Sequence, residues 1–307
     1  MSLGIDEIYH IIHMSDDLPP LDSWYDDVFS PRRGMMDNHY SSNEQRYASL
    51  LTIGDCVIEA LAPSRDVEGW DAMPIGRYYK KFGPHWHSLA WYVEDVGVVW
   101  DRLRSRDIRV LRGGGAGATD ERPKDFVPIF THPKDTIAQL QFMQRRTLRE
   151  PDDYHRAGDV DPRFLPGWSP TWWATNHGLT LERLAYVTII TSDLDRATSI
   201  YVDALQGTLI GEGESKLTET RDLYVAIGKQ VVVQLSQPLT PDSIAGKDLE
   251  TNGDTIHAVC FKVRDLSAAE RYLKGKHIDI VERDEDTILT DPSTTFRAPY
   301  RFTTAEL

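Results

Sequence analysis

Cysteine is scarce in this chain, and so is positive charge. Its 307 residues include two cysteines, Cys56 and Cys260, each inside an apolar run that reads as a strand. A disulfide framework is therefore not indicated, and a reducing compartment is the simpler expectation. Against 48 acidic residues stand 34 basic ones, a net charge of −14, and no basic run reverses this balance locally. Such a chain repels nucleic acid phosphates and anionic membranes. No window approaches the roughly 20 apolar residues that span a bilayer, and the opening MSLGIDEIYH lacks the basic region and apolar stretch of a secretory signal. The expectation is a soluble, cytoplasmic protein whose partner is a small molecule, with homo-oligomerisation left open.

What the chain does have is an internal repeat. HSLAWYVEDV, from His87 to Val96, returns 170 positions later as HAVCFKVRDL, from His257 to Leu266. In both a His opens a short apolar run, and an Asp follows eight positions after the His (Asp95, Asp265). The match continues through GVVWDRLRSRDIRV and SAAERYLKGKHIDI, so the unit is a strand followed by a helix.

Taken in order, the chain holds four such units in two pairs. The first has a strand at IYHIIHM (Ile8 to Met14), a short helix opened near Pro19 and Pro20, and two β-like runs, RYASLLTI and CVIEAL, joined by the hairpin signal Gly54-Asp55. A segment rich in Gly, Pro and aromatics, Asp66 to Pro84, leads to the second unit. That unit runs from His87 through a helix at Val96 to Ser105 and the glycine-rich GGGAGA, read as a mobile loop without phosphate-loop spacing, to a strand pair ending in IAQLQFM. Residues 146–180 shift in composition, with prolines, charges and three tryptophans, and read as a linker partly pinned by its aromatics. The third unit starts at Leu181 and the fourth is the His257 copy. The expected domains are 1–145, the linker 146–180, and 181–307.

Equivalent strand positions carry the chemistry. Alternation puts His10, Ile12 and Met14 on one face and Tyr9, Ile11 and His13 on the other. His87 repeats the position of His10, and Gln141 or Gln139 repeats that of Glu59; aligning the endings of units two and four with a one-residue gap favours Gln141. Two imidazoles, a carboxylate and an amide oxygen suit a divalent metal such as zinc, iron, manganese, nickel or cobalt. Polar residues at equivalent places in four strands are hard to explain by core packing, where a His or Glu is costly unless paired.

The paired βαβββ units, the His-to-Asp spacing and the acid at the strand end resemble the vicinal oxygen chelate superfamily, which includes glyoxalase I, methylmalonyl-CoA epimerase, extradiol dioxygenases and bleomycin-binding proteins. The resemblance covers most of the chain outside the linker, and HPKDT at His132 to Thr136 is also similar to a turn of the epimerases. It implies an α+β fold in which tandem βαβββ modules pair into two eight-stranded, cup-shaped mixed sheets with helices outside. Carried over position by position, it implies the metal ligands His10, Glu59, His87 and Gln141. It also implies a metal-dependent lyase or isomerase acting on a small substrate chelated through oxygen, with Glu59 as ligand, base, or each in turn. The alternatives are a non-haem Fe(II) extradiol-type dioxygenase, since two His and one carboxylate form its triad, and a metal-free, drug-sequestering binding protein.

The second pair departs from this pattern. Its corresponding residues are Tyr186, Gln234, His257 and Arg301, or Tyr300 without the gap, a set with one His and no carboxylate. The metal chemistry is therefore assigned to the N-terminal half and a shaping role to the C-terminal half. His13 reads as a strand residue packed on the helix layer, His85 as exposed or as support for the ligands, and His257 as a core residue satisfied by a hydrogen bond. Trp24, Tyr25, Trp70, Tyr78, Tyr79 and Trp86 read as core and linker packing ahead of a pocket lining, and the acid pairs Asp16-Asp17 and Asp26-Asp27 as caps and a solvated face.

Overall fold

The computed structural model describes residues 2–33, 36–113, 117–124, 127–145, 161–229 and 231–306. Its elements run β1 (Ile5–Met14), α1 (Leu18–Phe29), β2 (Arg32–Arg33), β3 (His39–Ser41), β4 (Arg46–Ile53), β5 (Cys56–Pro63), α2 (Pro74–Phe82), β6 (His85–Val93), α3 (Val96–Arg104), β7 (Val110–Arg112), β8 (Ile129–Thr131), α4 (Pro133–Thr136) and β9 (Gln139–Gln144). After α5 (Thr171–Asn176) the second half repeats the plan. It comprises β10 (Leu181–Ile190), α6 (Leu194–Thr198), β11 (Thr208–Ser215), β12 (Thr220–Ile227), β13 (Val231–Pro238), α7 (Ile244–Asn252), β14 (Thr255–Val263), α8 (Leu266–Gly275), β15 (Ile280–Arg283), β16 (Thr287–Thr290) and β17 (Tyr300–Thr303).

Two curled sheets result. One has the order β2-β4-β5-β1-β6-β9-β8-β7 with β3 added beside β4, and the other β11-β12-β13-β10-β14-β17-β16-β15. In each, the opening strands of two units pair antiparallel at the centre (β1 with β6, β10 with β14), and each is flanked by a parallel partner from its own unit. The expected α+β architecture of paired βαβββ modules is what forms. Gly54 and Asp55 make the two-residue turn between Ile53 and Cys56, and Gly54 takes the left-handed φ of 60° that glycine tolerates. The Asp of the repeated motif is a helix cap: Asp95 accepts from the amides of Gly97 (2.7 Å) and Val98 (3.3 Å), and Asp265 from that of Ala268 (2.9 Å).

The convex faces and their helices share one core across both halves. Ile8, Ile11 and Leu89 of the first sheet belong to the same apolar cluster as Val187, Val259 and Phe302 of the second. Phe29 of α1 is buried against Phe261, Tyr300 and Phe302, with ring centroids 5.3 to 6.5 Å away, a contact worth about 1.5–3 kcal/mol for such a side chain. A polar chain crosses the same interface. His13 Nε2 lies 3.3 Å from the Phe296 carbonyl, which only accepts, so Nδ1 must accept from the Tyr25 hydroxyl at 2.7 Å; the Tyr25 oxygen then accepts from Tyr300 at 2.5 Å. His13 is thus a helix-side residue, as alternation predicts.

Three readings are corrected. The segment from Asp66 to Pro84 is not merely a connector, because it forms α2, whose Ile75, Tyr78 and Tyr79 pack on Ile12, Met14 and Leu61 at the concave face. The helix α7 does the same for the second cup, and both begin against a preceding turn so closely that only glycine fits. A Cβ on Gly76 would lie 2.0 Å from the Trp70 carbonyl oxygen, and one on Gly246 2.3 Å from that of Thr240. His85 is buried rather than exposed. Tyr9 leaves strict alternation, because Ile8 faces Trp91 while His10 faces Ala90, and the extra residue lets Tyr9 turn to within 4.4 Å of the His10 ring. The centre of GGGAGA and residues 146–160 lie outside the described residues.

Candidate active site in the first cup

Four strands bring the four predicted residues to one concave face. Glu59 sits opposite Ile12 in the parallel β1–β5 register, so it shares the face of Ile12 and His10. His10 is opposite Ala90, and Ala90 is opposite Gln141, so His10 and Gln141 flank one small residue in a row across three strands. Gln139 lies one step along the same face, beside Ser88. His87 reaches the cup through a bulge: Ile11 faces Leu89 and His13 faces Trp86, three residues of β6 against two of β1. Without that extra residue Trp86 and Leu89 could not both point into the helix-side core with His87 turned away.

All four side chains are buried, His10 and Glu59 at 4% and 3% exposure, His87 and Gln141 at 8%. Glu59 Oε2 is 3.1 Å from His10 Nε2, and Glu59 Oε1 is 2.9 Å from Arg46 Nη1, an arginine that also meets Glu44 at 2.6 Å. Neither nitrogen of His10 is aligned in a hydrogen bond, nor is Nδ1 of His87; Gln141 approaches the His10 ring closely enough to favour its protonated form. Burial wins nonetheless and lowers the His10 pKa, with Glu59 opposing. Burial also takes His87 down to about 4, again against Glu59. Both rings are therefore neutral at pH 7 and carry a free lone pair.

Two residues that the sequence reading passed over shape this site. Arg46 enters from β4 as a buried cation on Glu59. Arg163, in the segment before β10, donates to the carbonyls of Ile8 (2.9 Å), Tyr9 (3.3 Å) and Asp55 (2.8 Å) while paired with Asp161 at 2.6 Å. It thereby satisfies the carbonyls beside the bulge that precedes His10. Arg46 opens the predicted strand RYASLLTI with the parity of Ala48 and Leu50, a signal alternation could have supplied. Nothing local in the sequence marks Arg163.

A metal fits this donor set in kind. Two neutral imidazoles with unpaired buried nitrogens stand beside a carboxylate, and 3.1 Å is close to the ~3.0 Å that separates two cis ligands each ~2.1 Å from one ion. The ligands are not gathered into a finished cage. No three His, Cys, Asp or Glu side chains converge that far among the described residues; His87 instead meets Tyr78 of α2 edge-on, ring centroids 4.3 Å apart.

The second cup, at equivalent places, is closed by its own side chains. Tyr186, Cys260 and Arg301 repeat the row of His10, Ala90 and Gln141. Gln234, in the place of Glu59, accepts from Arg301 (2.8 Å) and Thr188 (2.7 Å) and donates to Asp222 and Tyr224 at 3.0 Å each. The carboxylate that faces His257 there comes from the covering helix instead: Asp248 of α7 accepts from its Nδ1 at 2.5 Å.

Residues 183–303 match the model of the Glyoxalase/Bleomycin resistance protein/Dioxygenase superfamily. A search of curated proteins finds no match. Among solved structures, a triply substituted 4-hydroxymandelate synthase from Streptomyces coelicolor superposes over 99% of this chain and 95% of its own, with a TM-score of 0.68 at 14% identity. It supports the fold alone. Methylmalonyl-CoA epimerase from Mycobacterium tuberculosis is 25% identical over 40% of this chain and 87% of its own, with a TM-score of 0.38. None of the described helices is long and apolar enough to cross a membrane.

Proposed function

We infer that this chain, a member of the glyoxalase/bleomycin resistance protein/dioxygenase superfamily through its C-terminal half, is a metal-dependent lyase or isomerase whose reaction takes place in the N-terminal cup, within residues 1–145. The observation that carries this reading is the pair of buried, neutral, unpaired imidazoles, His10 and His87, beside the Glu59 carboxylate.

His10, Glu59, His87 and the Gln141 amide oxygen would hold the ion. A divalent cation there supplies a Lewis acid for a carbonyl or hydroxyl oxygen of a small organic substrate. The protein's own groups do the rest. Arg46 fixes Oε1 of Glu59 and leaves Oε2 directed at His10, so one carboxylate oxygen stays free to coordinate or to take a proton from a carbon next to that carbonyl. Gln141 has no basic atom, which leaves Glu59 as the carboxylate for proton transfer. Ile12, Met14, Leu61, Tyr78 and Tyr79 wall the cup with apolar surface under α2, which keeps water from a carbanionic species.

The test is metal analysis of protein purified without chelator, alongside His10→Ala, Glu59→Ala and His87→Ala. Near-stoichiometric metal in the parent and its loss in each variant support the reading; equal metal in all four proteins overturns the site. Deuterium uptake from solvent into a carbonyl substrate without oxygen consumption then supports a lyase or isomerase, whereas iron with oxygen uptake on catechols moves the protein to the dioxygenase alternative. The Arg46–Glu59 ion pair favours a second reading, a metal-free binding cup, since a guanidinium already neutralises the carboxylate. Metal-free protein that still binds small molecules in this cup would be its signature.

A further inference from the structure

Beside the second cup and reaching its His257, a cleft of about 650 Å³ is lined by residues of both halves, within the range of a small-ligand site. Phe82 and Pro84 wall one side, and Ile244, Val281 and Pro299 the other. Two exposed cations, Lys247 of α7 and Arg297, line it, and neither forms an ion pair among the described residues. The acids that share the cleft are already engaged: Asp16 accepts from the Tyr79 hydroxyl, and Asp248 lies between His257 and His85. Lys247 and Arg297 are thus the cations of the cleft that no acid pairs among the described residues, beside two carboxylates already held by hydrogen bonds.

At the inner end stands His257, 1% exposed. Its Nδ1 is 2.5 Å from Asp248 Oδ2, and a carboxylate only accepts, so Nδ1 carries the proton and the neutral ring keeps a lone pair on Nε2. Burial lowers the His257 pKa against the pull of Asp248, in keeping with that neutral form. Nε2 is buried without a partner, a state that polar groups in native proteins rarely keep unless a ligand or water completes them. The same residue of the repeat in the first half is Tyr78, which meets His87 edge-on and forms no hydrogen bond to its ring; the carboxylate that orients the ring is particular to this half.

We propose that this cleft is a second site, for a small organic carboxylate that bears a hydroxyl group, the carboxylate facing Lys247 and Arg297 and the hydroxyl donating to His257 Nε2. The apolar walls ask for a hydrocarbon body between the two polar ends. Because the Asp16 and Asp248 carboxylates share the cleft, its two rim cations suit one negative charge better than a phosphate dianion, and the acceptor on Nε2 requires a donor that a plain carboxylate lacks. Aligned by Asp248, His257 is positioned as the proton acceptor for that hydroxyl.

The probe is 3-hydroxybenzoate, titrated calorimetrically into the full-length, chelator-treated protein so that metal in the first cup does not enter the result. Benzoate and 3-hydroxybenzamide serve as the ligands lacking the hydroxyl and the charge. Saturable binding is expected, about tenfold weaker for each control ligand and for the Lys247→Gln/Arg297→Gln double variant, in line with loss of one charge-assisted contact. Both substitutions are on the surface, so folding is preserved, and His257→Gln should lose the preference for 3-hydroxybenzoate over benzoate. No binding, binding indifferent to the double variant, or equal affinity for the three ligands would each overturn the proposal.

Discussion

Tyr25→Phe is the most telling single change outside the candidate sites. The Tyr25 hydroxyl is a relay between two groups with no other recourse: it donates to His13 Nδ1 and accepts from Tyr300, and all three residues are at most 1% exposed. Removing it strands both the His13 lone pair and the Tyr300 proton in a dry core, at about 1–3 kcal/mol each, hence roughly 2–6 kcal/mol in all. Tyr300→Phe is different, because Tyr25 can still donate to His13 and loses only what it accepted, a cost of about 1 kcal/mol. The double variant strands only the His13 lone pair. It should therefore be more stable than Tyr25→Phe alone, although it lacks one more hydroxyl. Urea unfolding at pH 7.5, followed by tryptophan fluorescence, reads this directly, with Trp86 4.9 Å and Trp24 6.4 Å from His13 as reporters. If the two losses add, and the double variant is the least stable of the three, the relay does not run from Tyr300 through Tyr25 to His13.

The remaining predictions concern acid and the segment before β10. Burial pushes His13 down to about 3 and His87 to about 4, while both take up protons near pH 6.5 when unfolded. Their contribution is whole above pH 6.5 and is lost as pH falls, by about 3 kcal/mol for each at pH 4. Urea midpoints should thus drop steeply between pH 6.5 and 4, and a flat profile there would mean that the rings are not held neutral. Arg163→Ala would leave the Asp161 carboxylate buried without its partner and three carbonyls without their donor, at about 3–5 kcal/mol. Because two of those carbonyls, of Ile8 and Tyr9, directly precede His10, the variant should also lose metal. Unchanged stability and metal content together would remove Arg163 from the account of the site.

Much of the fold was legible because its signals are local and occur twice. The His-to-Asp spacing encodes the length of a central strand and the cap of the next helix, and both copies keep it. The covering helices were harder to see: Ile75, Tyr78 and Tyr79 do fall at helical spacing, but α2 has only nine residues and lies in a stretch rich in glycine and proline. The repeat did carry them, however: Gly76 stands 11 residues before His87, and Gly246 stands 11 before His257. At the site, alternation locates His10 and Glu59 correctly relative to each other but misjudges Tyr9, because a bulge adds a residue that no propensity marks. Arg46 was within reach of the same alternation. Arg163 was not, since its role depends on where a distant segment settles.

The two central histidines show how one scaffold would hold the two kinds of site proposed. His87 and His257 each lie on an equivalent bulge of a central strand, where three residues of β6 span two of β1 and two of β14 span one of β10. Each is met by the same position of a covering helix, Tyr78 in α2 and Asp248 in α7. An aromatic edge leaves the ring of His87 without a hydrogen bond at Nδ1, and Glu59 and His10 share its cup, which is the arrangement the proposed cation would use. A carboxylate at that position instead fixes the proton of His257 on Nδ1, and Gln234 in the place of Glu59 is consumed by Arg301, so the free nitrogen can serve only a donor that enters from the cleft. Exchanging that one residue tests the argument: Tyr78→Asp should anchor His87 as Asp248 anchors His257, and metal content in the first cup should change with it.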